Sequence, residues 1–237
     1  MPITIHLRPT ARLAERVLLP GDPGRALLLA QSLLDAPKMF NHHRGLWGYT
    51  GIAADSAPLT IQSTGMGGPS AAIVIAELAE LGARRLLRVG TCGALDPSLA
   101  LGELVIAGEA LAADGTSRAL GAGERAGASP ALLAALLAAA PSEVRTGLIA
   151  STDLFYDGPP GAEEGWRAAG ALAVEMETAT LFALAARRGL CAGCVLVVSD
   201  LLAGAPERRR IDPETLGAAE QRMGKLAARA LSARPEP

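Results

Sequence analysis

Hydrophobic and polar positions follow two different periods along the chain, which separate predicted strands from predicted helices. Compact apolar runs predict buried strands at residues 16–20, 85–89, 103–107, 143–149, 171–174 and 194–198. Apolar positions at helical spacing, bounded by proline, glycine or capping residues, predict helices at about 24–35, 70–82, 130–140, 177–188 and 213–231. Two runs that flank a polar turn, residues 48–53 and 58–63, predict a β-hairpin. Residues 113–129 have no clear period and are interpreted as a surface excursion.

Strands that alternate with helices predict an α/β fold, with a mostly parallel sheet and helices on both of its faces. Polar or glycine-rich segments come where the predicted strands end, at residues 21–25, 65–70, 90–93, 151–156, 175–177 and 199–200. Ligands bind such sheets outside the carboxyl ends of the strands, so we expect these segments to form one site. No internal repeat and no Pro/Gly/Ser-rich linker divides the chain, which predicts one domain over residues 1–237.

Composition argues against several classes of function. The formal net charge of −2 provides no basic field for a nucleic acid, and only 3% of the residues are aromatic. We find no signal peptide in residues 1–12 and no apolar run long enough to span a membrane. The cysteines Cys92, Cys191 and Cys194 form no disulfide framework, so we expect a reducing, cytoplasmic location. Cys191 and Cys194 have metal-ligand spacing, but without a second cysteine pair or a nearby histidine they are interpreted as buried thiols, and no metal is expected.

Two arginines beside glycine-containing segments indicate an anion site. Gly21–Arg25 offers free backbone N–H groups at a helix start and a guanidinium one turn in, which suit a phosphate, although Gly-Asp-Pro is also an ordinary turn. Arg88 lies in an apolar strand next to Gly90 and Thr91, and a buried arginine needs an anion. That anion is either a ligand, which we favour, or a structural ion pair. Gly65–Ser70 lets a ligand approach the backbone closely but matches neither a P-loop nor a dinucleotide fingerprint.

Three carboxylates lie at predicted strand ends. Glu175 and Glu177 are two positions apart, so an extended backbone places both side chains on one face, beside a helix start that favours negative charge. The alternative is that both are solvated cap residues. Asp200 follows Ser199 at a strand end, where partial burial would raise its pKa and let it donate a proton; it is equally well explained as a turn or N-cap residue. Phe155–Tyr156 would either stack on a flat ligand or anchor its loop on the core.

Together these motifs resemble one family, the bacterial, hexameric type of purine nucleoside phosphorylase. The resemblance rests on Gly21–Arg25, Arg44–Gly51, Gly65–Ser70, Arg88–Ala94, Val174–Glu177 and Ser199–Asp200, which recur in order across nearly the whole chain. It implies a single-domain, three-layer αβα fold with a mixed, partly barrel-like central sheet. It also implies a homo-oligomer, a hexamer built as a trimer of dimers, that acts on purine nucleosides and inorganic phosphate.

The resemblance also implies roles for individual residues. Phosphate would be bound by Gly21, Arg25, Arg88 and Thr91, together with Arg44 from the neighbouring subunit. The ribose would be bound by Met176 and Glu177, with Glu175 and Met66 close by and His6 supplied by the neighbour. The purine would lie against Phe155, Val174, Ser199 and Asp200. Inorganic phosphate is a co-substrate in this scheme, and no cofactor is implied.

The implied reaction suits these residue types. Phosphorolysis passes through a sugar with cationic character, which Glu177 would stabilise, and phosphate is already an anionic nucleophile that needs no base. Asp200 would protonate the purine at N7 as the base leaves. In the family an arginine on the last helix assists this aspartate, but the matching positions here are Thr215 and Leu216, which leaves the preference between 6-amino and 6-oxo purines open. Arg208–Arg210 would either reach the site from the preceding loop or form a solvated run.

Three other functions stay open as alternatives. A uridine phosphorylase would share the phosphate and ribose sites, but its pyrimidine site uses a Gln and an Arg that residues 155–161 lack. A hydrolytic nucleosidase needs a base for water and no anion-binding arginines, yet Arg25 and Arg88 are both present. A nucleoside-binding protein without turnover would not need Asp200 or Glu177.

Overall fold

Strands and helices follow one another along the chain in a computed structural model, in which the structure describes residues 4–202 and 209–232. The strands are β1 (Arg16–Leu19), β2 (Leu34–Asn41), β3 (Gly48–Ala53), β4 (Pro58–Gln62), β5 (Arg85–Ala94), β6 (Leu104–Ala112), β7 (Arg125–Gly127), β8 (Arg145–Ser151), β9 (Ala173–Glu175), β10 (Cys191–Leu201) and β11 (Arg209–Arg210). The helices are α1 (Pro23–Leu33), α2 (Gly68–Leu81), α3 (Gly115–Ala119), α4 (Pro130–Ala139), α5 (Ala162–Ala168), α6 (Thr178–Arg188) and α7 (Pro213–Ser232), with a 3-10 turn at His43–Gly45.

The central sheet is mixed and closes partly on itself. Its strands follow the order β11-β10-β6-β8-β9-β5-β1-β4-β3-β2, with β7 paired to β6 and a further pairing between β10 and β5. That further pairing closes β10, β6, β8, β9 and β5 into a ring, which is a small barrel. Pairings such as β1–β5 and β5–β10 are parallel, whereas β3–β4, β5–β9 and β6–β10 are antiparallel. The mixed, partly barrel-like sheet is therefore confirmed. The expectation of a mostly parallel sheet is wrong because consecutive strands such as β3 and β4 are joined by short turns, which make them antiparallel.

Helices cover both faces of this sheet, which confirms the three-layer αβα arrangement. Helices α1, α4 and α7 pack on one face through residues such as Leu29, Leu136 and Met223. Helices α2 and α6 pack on the other face. Successive residues of a strand point to opposite faces, so Leu86 and Leu87 of β5 are both fully buried but join different cores. A strand that is buried on both faces has a nearly continuous apolar sequence, which is the pattern of β5.

Two strands that carry site residues are longer than predicted. β5 continues through residues 90–93, which we expected to form a turn, and β10 continues through Ser199 and Asp200. The two strands pair in parallel, with a register shift between Val198 and Asp200. Because the partners are far apart in sequence, the pairing that extends each strand is not visible in its local pattern.

Other segments also differ from the predictions. α1 ends at Leu33, and the next residues form β2, which the sequence did not predict. The excursion at residues 113–129 contains α3 and β7 and is partly internal, because Asp114 is fully buried. Asp114 caps α3 by accepting a hydrogen bond from the Ser117 N–H at 2.8 Å, and it accepts another from Thr180 Oγ1 at 2.8 Å. A short helix that is held by a polar cap of this kind has no hydrophobic period in its sequence, so the pattern of residues 113–129 did not predict it.

The cysteines are free thiols, and Cys92 and Cys194 are buried. Burial raises the pKa of both thiols, to about 12 for Cys194, so they behave as apolar groups. None of the helices in residues 4–202 and 209–232 combines the length and the apolar character needed to cross a lipid bilayer.

Candidate active site

Arg88 lies at the centre of a buried charge cluster. Its side chain, on β5, is only 6% exposed; Nε donates to Glu175 Oε2 at 2.8 Å, and Nη2 pairs with Glu177 Oε2. A Cβ at Gly90 would lie 2.7 Å from Arg88 Nη2, so glycine is needed there to make room for the guanidinium. Burial lowers the pKa of Arg88, but the two carboxylates outweigh that and raise it above its ordinary value. The structural ion pair that we weighed at this residue is therefore present, and the ligand site stays a prediction.

The third nitrogen of this guanidinium, Arg88 Nη1, is buried and has no hydrogen-bond partner among the residues that the structure describes. A Cβ placed on Gly21 would lie 4.0 Å from Nη1 and 3.2 Å from the Gly65 carbonyl oxygen. The Gly65 N–H donates to the Gly21 carbonyl at 3.0 Å, so the two glycine segments are joined beside Arg88. An unsatisfied buried donor of a charged group is costly, which indicates that an acceptor from outside the chain belongs here.

Glu175 is saturated by protein donors. It accepts from Arg88, from Ser151 Oγ at 2.5 Å, and from the backbone N–H groups of Glu177 and Thr178 at 2.9 Å each. Its side chain is 1% exposed. Glu175 thus orients Arg88 and caps the start of α6. The alternative that it is a solvated cap residue is wrong, because this cap is buried. Its place beside a ribose stays a prediction.

Glu177 connects the carboxylate turn with the glycine turn. One oxygen accepts from the Gly67 N–H at 2.5 Å, and the other pairs with Arg88. Gly67 has a φ of 86°, a conformation that favours glycine, and it aims this N–H at the carboxylate. Burial raises the pKa of Glu177, Arg88 opposes that rise, and Glu175 adds to it. Glu177 is therefore a buried acceptor held between the Gly67 N–H and Arg88.

Arg25 lies in the first turn of α1. Asp22 caps this helix, accepting from the Gly24 and Arg25 N–H groups at 3.1 and 2.8 Å, as the sequence predicts. Arg25 Nε donates to Glu220 Oε1 of α7 at 2.6 Å, a partner that the sequence did not reveal. Arg25 lies one turn into the helix that follows Gly21, the glycine beside Arg88 Nη1, and its charge opposes the burial-driven rise in the pKa of Glu177. The remaining predicted phosphate residue of this face, Thr91, is half-buried on β5.

A cleft of about 620 Å³ opens beside the Glu177 turn. It is lined by Met66, Gly67, Pro69, Gly115, Thr116, Ala119, Asp153 and Met176. The structure therefore brings together the two methionines predicted to lie near a ribose, and Met66 is 85% exposed. Sequence reasoning missed Thr116, and it included Asp153 only as part of the segment 151–156, with no role of its own. Asp153 accepts from the Gly115 N–H at 2.7 Å, and its position just after β8 was the only available signal.

The residues predicted to surround a base lie along β9, β10 and the loop after β8. Asp200 is 3% exposed, and its Oδ2 is 2.8 Å from Ser199 Oγ. Val174 is half-buried and pairs with Gly93 of β5. Phe155 is 45% exposed and packs edge-to-face on Tyr156, with ring centroids 4.8 Å apart.

The cation predicted to assist Asp200 has one structural candidate in the described residues. Arg210 on β11 pairs directly opposite Asp200, which places both side chains on one face of the sheet. Arg209 lies beside it, and Arg208 is outside the described residues. Thr215, at the family's arginine position, is exposed. Assistance by Arg210 stays a prediction.

His6 and Arg44 lie at the surface, away from the contacts of Arg88. The His6 carbonyl oxygen is 3.1 Å from His43 Nδ1. Arg44 is exposed and has a φ of 59°, a left-handed conformation that is uncommon outside glycine. No hydrogen bond in the described residues joins either side chain to the Arg88 cluster. Their expected contribution to a neighbour's site stays a prediction.

Glu77 of α2 fixes the segment that carries His6. Its carboxylate accepts from the N–H groups of Ile5, His6 and Leu7 at 3.1, 3.0 and 2.7 Å, and it lies 2.7 Å from His6 Nδ1. Burial alone would raise the pKa of Glu77, but these donors lower it below its ordinary value. A carboxyl group with a lowered pKa stabilises the fold above its unfolded pKa, and the stabilisation is lost as the pH falls through the folded value.

We expect Glu77→Gln to reduce the hydrogen-exchange protection of residues 5–7 about tenfold at neutral pH, because three backbone donors lose a charged acceptor. The wild-type segment should lose protection, after correction for intrinsic exchange, as the pH falls below about 4.3, the ordinary pKa of a glutamate. Glu80→Gln, an exposed acid on the same helix, is the matched control. Equal protection in wild type and Glu77→Gln would contradict this role.

Comparisons with known proteins agree with the geometry. The phosphorylase superfamily matches residues 15–232. A DeoD-type purine nucleoside phosphorylase of Caldanaerobacter subterraneus is 41% identical over 196 residues, covering 80% of this chain and 84% of that protein. A DeoD-type purine nucleoside phosphorylase of Clostridium perfringens is 36% identical over 220 residues, covering 90% and 93%. A guanosine phosphorylase of Halorubrum lacusprofundi is 39% identical over 199 residues, covering 80% of each chain. With this coverage, and with the closed mixed sheet and charge cluster described above, the chain belongs to the phosphorylase superfamily.

Proposed function

We propose that this protein catalyses the phosphorolysis of purine ribo- and 2′-deoxyribonucleosides, giving the free base and (deoxy)ribose 1-phosphate. The observation that carries the proposal is the unpartnered, buried Arg88 Nη1 beside Gly21. A charged donor held dry and unsatisfied favours an oxyanion, and inorganic phosphate is the oxyanion that this reaction consumes. The names of the relatives, purine nucleoside phosphorylase and guanosine phosphorylase, support the same reaction.

Phosphate would bind between the glycine segments, with its oxygens on Arg88 Nη1, Arg25, the backbone at Gly21 and Thr91. The anion needs no base to become a nucleophile, so the protein's contribution is to hold it under the anomeric carbon of the sugar. Glu175 supports this indirectly, because its bond to Nε fixes the plane of the Arg88 guanidinium.

The sugar would lie over the Glu177 turn, with its hydroxyls on that carboxylate and its carbons against Met66 and Met176. As the glycosidic bond breaks, positive charge develops on the sugar ring. A buried, ionised Glu177 stabilises that charge more strongly than water would, because the local dielectric is low.

The leaving purine would lie against Phe155 and Val174, with Asp200 at its N7. Negative charge that builds on the base is relieved by a proton or a short hydrogen bond from this carboxyl group. Ser199 Oγ, 2.8 Å from Asp200 Oδ2, holds the carboxyl group in place.

The assembly that we propose is a hexamer, a trimer of dimers, in which His6 and Arg44 complete the neighbour's site. Large apolar side chains exposed near these residues support a second copy there: Ile5 is 70% exposed, Trp47 40% and Met39 39%. We further propose that the protein acts in the cytoplasm in purine salvage, without a resident cofactor.

A substrate panel tests the function. Adenosine, inosine, guanosine and uridine are incubated with the protein in phosphate buffer and in phosphate-free buffer of matched ionic strength, and released base is measured. We expect phosphate-dependent release from the purine nucleosides. Equal release without phosphate would indicate a hydrolase, a preference for uridine would indicate a uridine phosphorylase, and tight binding without product would indicate a nucleoside-binding protein.

A further inference from the structure

The ion pair between Arg25 and Glu220 lies where α7 is otherwise apolar. Glu220 is 8% exposed and is flanked on the buried face of α7 by Ala219 and Met223, both fully buried. A carboxylate at such a position is costly unless it is paired and hydrogen-bonded. Its partner is Arg25, whose Nε donates to Oε1 at 2.6 Å, and the two side chains are 10% and 11% exposed.

Close packing of α7 on α1 fixes the geometry of this pair. A Cβ at Gly224 would lie 2.4 Å from Leu29 Cδ2, so the helices can approach this closely only because position 224 is glycine. Leu29 lies one turn after Arg25, and Gly224 lies one turn after Glu220, so both contacts belong to one helix–helix interface. The position of the Glu220 carboxylate relative to Arg25 is therefore set by the core.

Glu220 occupies only the Nε edge of the guanidinium. No acceptor within residues 4–202 and 209–232 forms a hydrogen bond with Arg25 Nη1 or Nη2. The terminal nitrogens thus remain available, on the first turn of the helix that follows Gly21, where an added Cβ would lie 4.0 Å from Arg88 Nη1. A guanidinium that is hydrogen-bonded at one edge presents its other edge in a fixed direction, which suits a planar, bidentate contact with an oxyanion.

We propose that Glu220 is a positioning residue for phosphate binding: it holds Arg25 by Nε and so directs the terminal nitrogens toward the anion beside Arg88. This inference rests on the proposed function, in which that anion is inorganic phosphate. Glu220 does not touch the substrate. It links the C-terminal helix α7 to the phosphate site.

The test is a titration of inorganic phosphate in the absence of nucleoside, followed by phosphorolysis kinetics. We expect Glu220→Ala to raise both the Kd and the KM for phosphate about tenfold, with kcat at saturating phosphate changed less than about twofold, because a binding contact is misdirected and no transition-state contact is lost. Glu220→Gln keeps an oxygen that accepts from Nε and should lie within about threefold of wild type. Glu214→Ala, an exposed acid on the same helix, is the matched control.

Two further variants separate positioning from charge and from misfolding. Glu220→Asp keeps the charge but withdraws the carboxylate, so it should weaken phosphate binding; a merely electrostatic role predicts wild-type affinity. In an Arg25→Ala background, Glu220→Ala should add almost nothing to the Kd. Unchanged affinity in Glu220→Ala and Glu220→Asp would overturn the inference, as would tighter binding in Glu220→Gln, which would mean that Glu220 competes with phosphate. A wild-type protein that binds phosphate with this pattern but releases no base would overturn the proposed function alone, and one that binds no phosphate would overturn both.

Discussion

Arg88→Lys should give a folded protein that has lost most of its affinity for phosphate. A lysine keeps one positive charge between Glu175 and Glu177, so the buried carboxylates stay compensated. The three N–H groups of an ammonium radiate from one nitrogen, so a lysine cannot reach both carboxylates and also place a donor at the position of Arg88 Nη1. We expect the KM for phosphate to rise about tenfold to a hundredfold, with a smaller effect on the KM for the nucleoside.

Arg88→Ala tests the contribution of the same residue to folding stability. Removing one member of a buried ion cluster leaves the others unpaired, which costs about 3–5 kcal/mol of folding stability. Arg88 holds down the pKa of Glu177, so without it that pKa would rise further in the folded state and protonation would favour folding. The stability deficit of Arg88→Ala relative to wild type should therefore shrink as the pH falls from 8 to 5, measured by denaturant unfolding.

Arg16 offers a matched control for both variants. It is another buried arginine, at the opposite end of β1 from Gly21, and it pairs with Asp55 through two contacts of 2.5 and 2.6 Å. Arg16→Lys should lower stability without changing the KM for phosphate. If Arg88→Lys and Arg16→Lys have the same KM for phosphate as wild type, Arg88 is a structural residue only and the phosphate site lies elsewhere.

Elements whose ends are marked by capping, proline, glycine or turn residues were predictable from the sequence. The Asp22 cap and Pro23 locate the start of α1, and Gly82, with a φ of 110°, locates the end of α2. The hairpin of β3 and β4 follows from its turn residues. The features that the sequence did not predict depend on strands that are distant in sequence. β5 and β10 extend because they pair with each other, and the direction of β9 is set by its pairing with β5 and β8. Pairing between remote segments leaves no period in either one.

The same distinction applies to the candidate site. Arg88 was visible because a charge within an apolar strand is unusual, and the glycine segments were visible because they end strands. Glu220 was not, because a glutamate in an amphipathic helix reads as a solvated residue, and only the packing of α7 on α1 buries it. The extension of β10 through Asp200 was likewise hidden, since the pairing with β5 and β11 carries the strand beyond its apolar run.

Asp200→Asn should lower kcat for adenosine by about 10²–10⁴-fold while changing the KM little, because an amide fills the same volume but cannot supply the proton that the leaving purine needs. The fold should tolerate the change, since Ser199 Oγ can still donate to the amide oxygen. The substrate provides the control. A purine nucleoside methylated at N7 already carries a positive charge on its base, so its release needs no proton, and wild type and Asp200→Asn should cleave it at rates within about tenfold of each other. The rates for both substrates are measured side by side at several pH values. A loss of rate that is equally large for the methylated nucleoside would mean that Asp200 supports the architecture of β10 and does not act as the acid. A selective loss for adenosine assigns the proton to this carboxyl group.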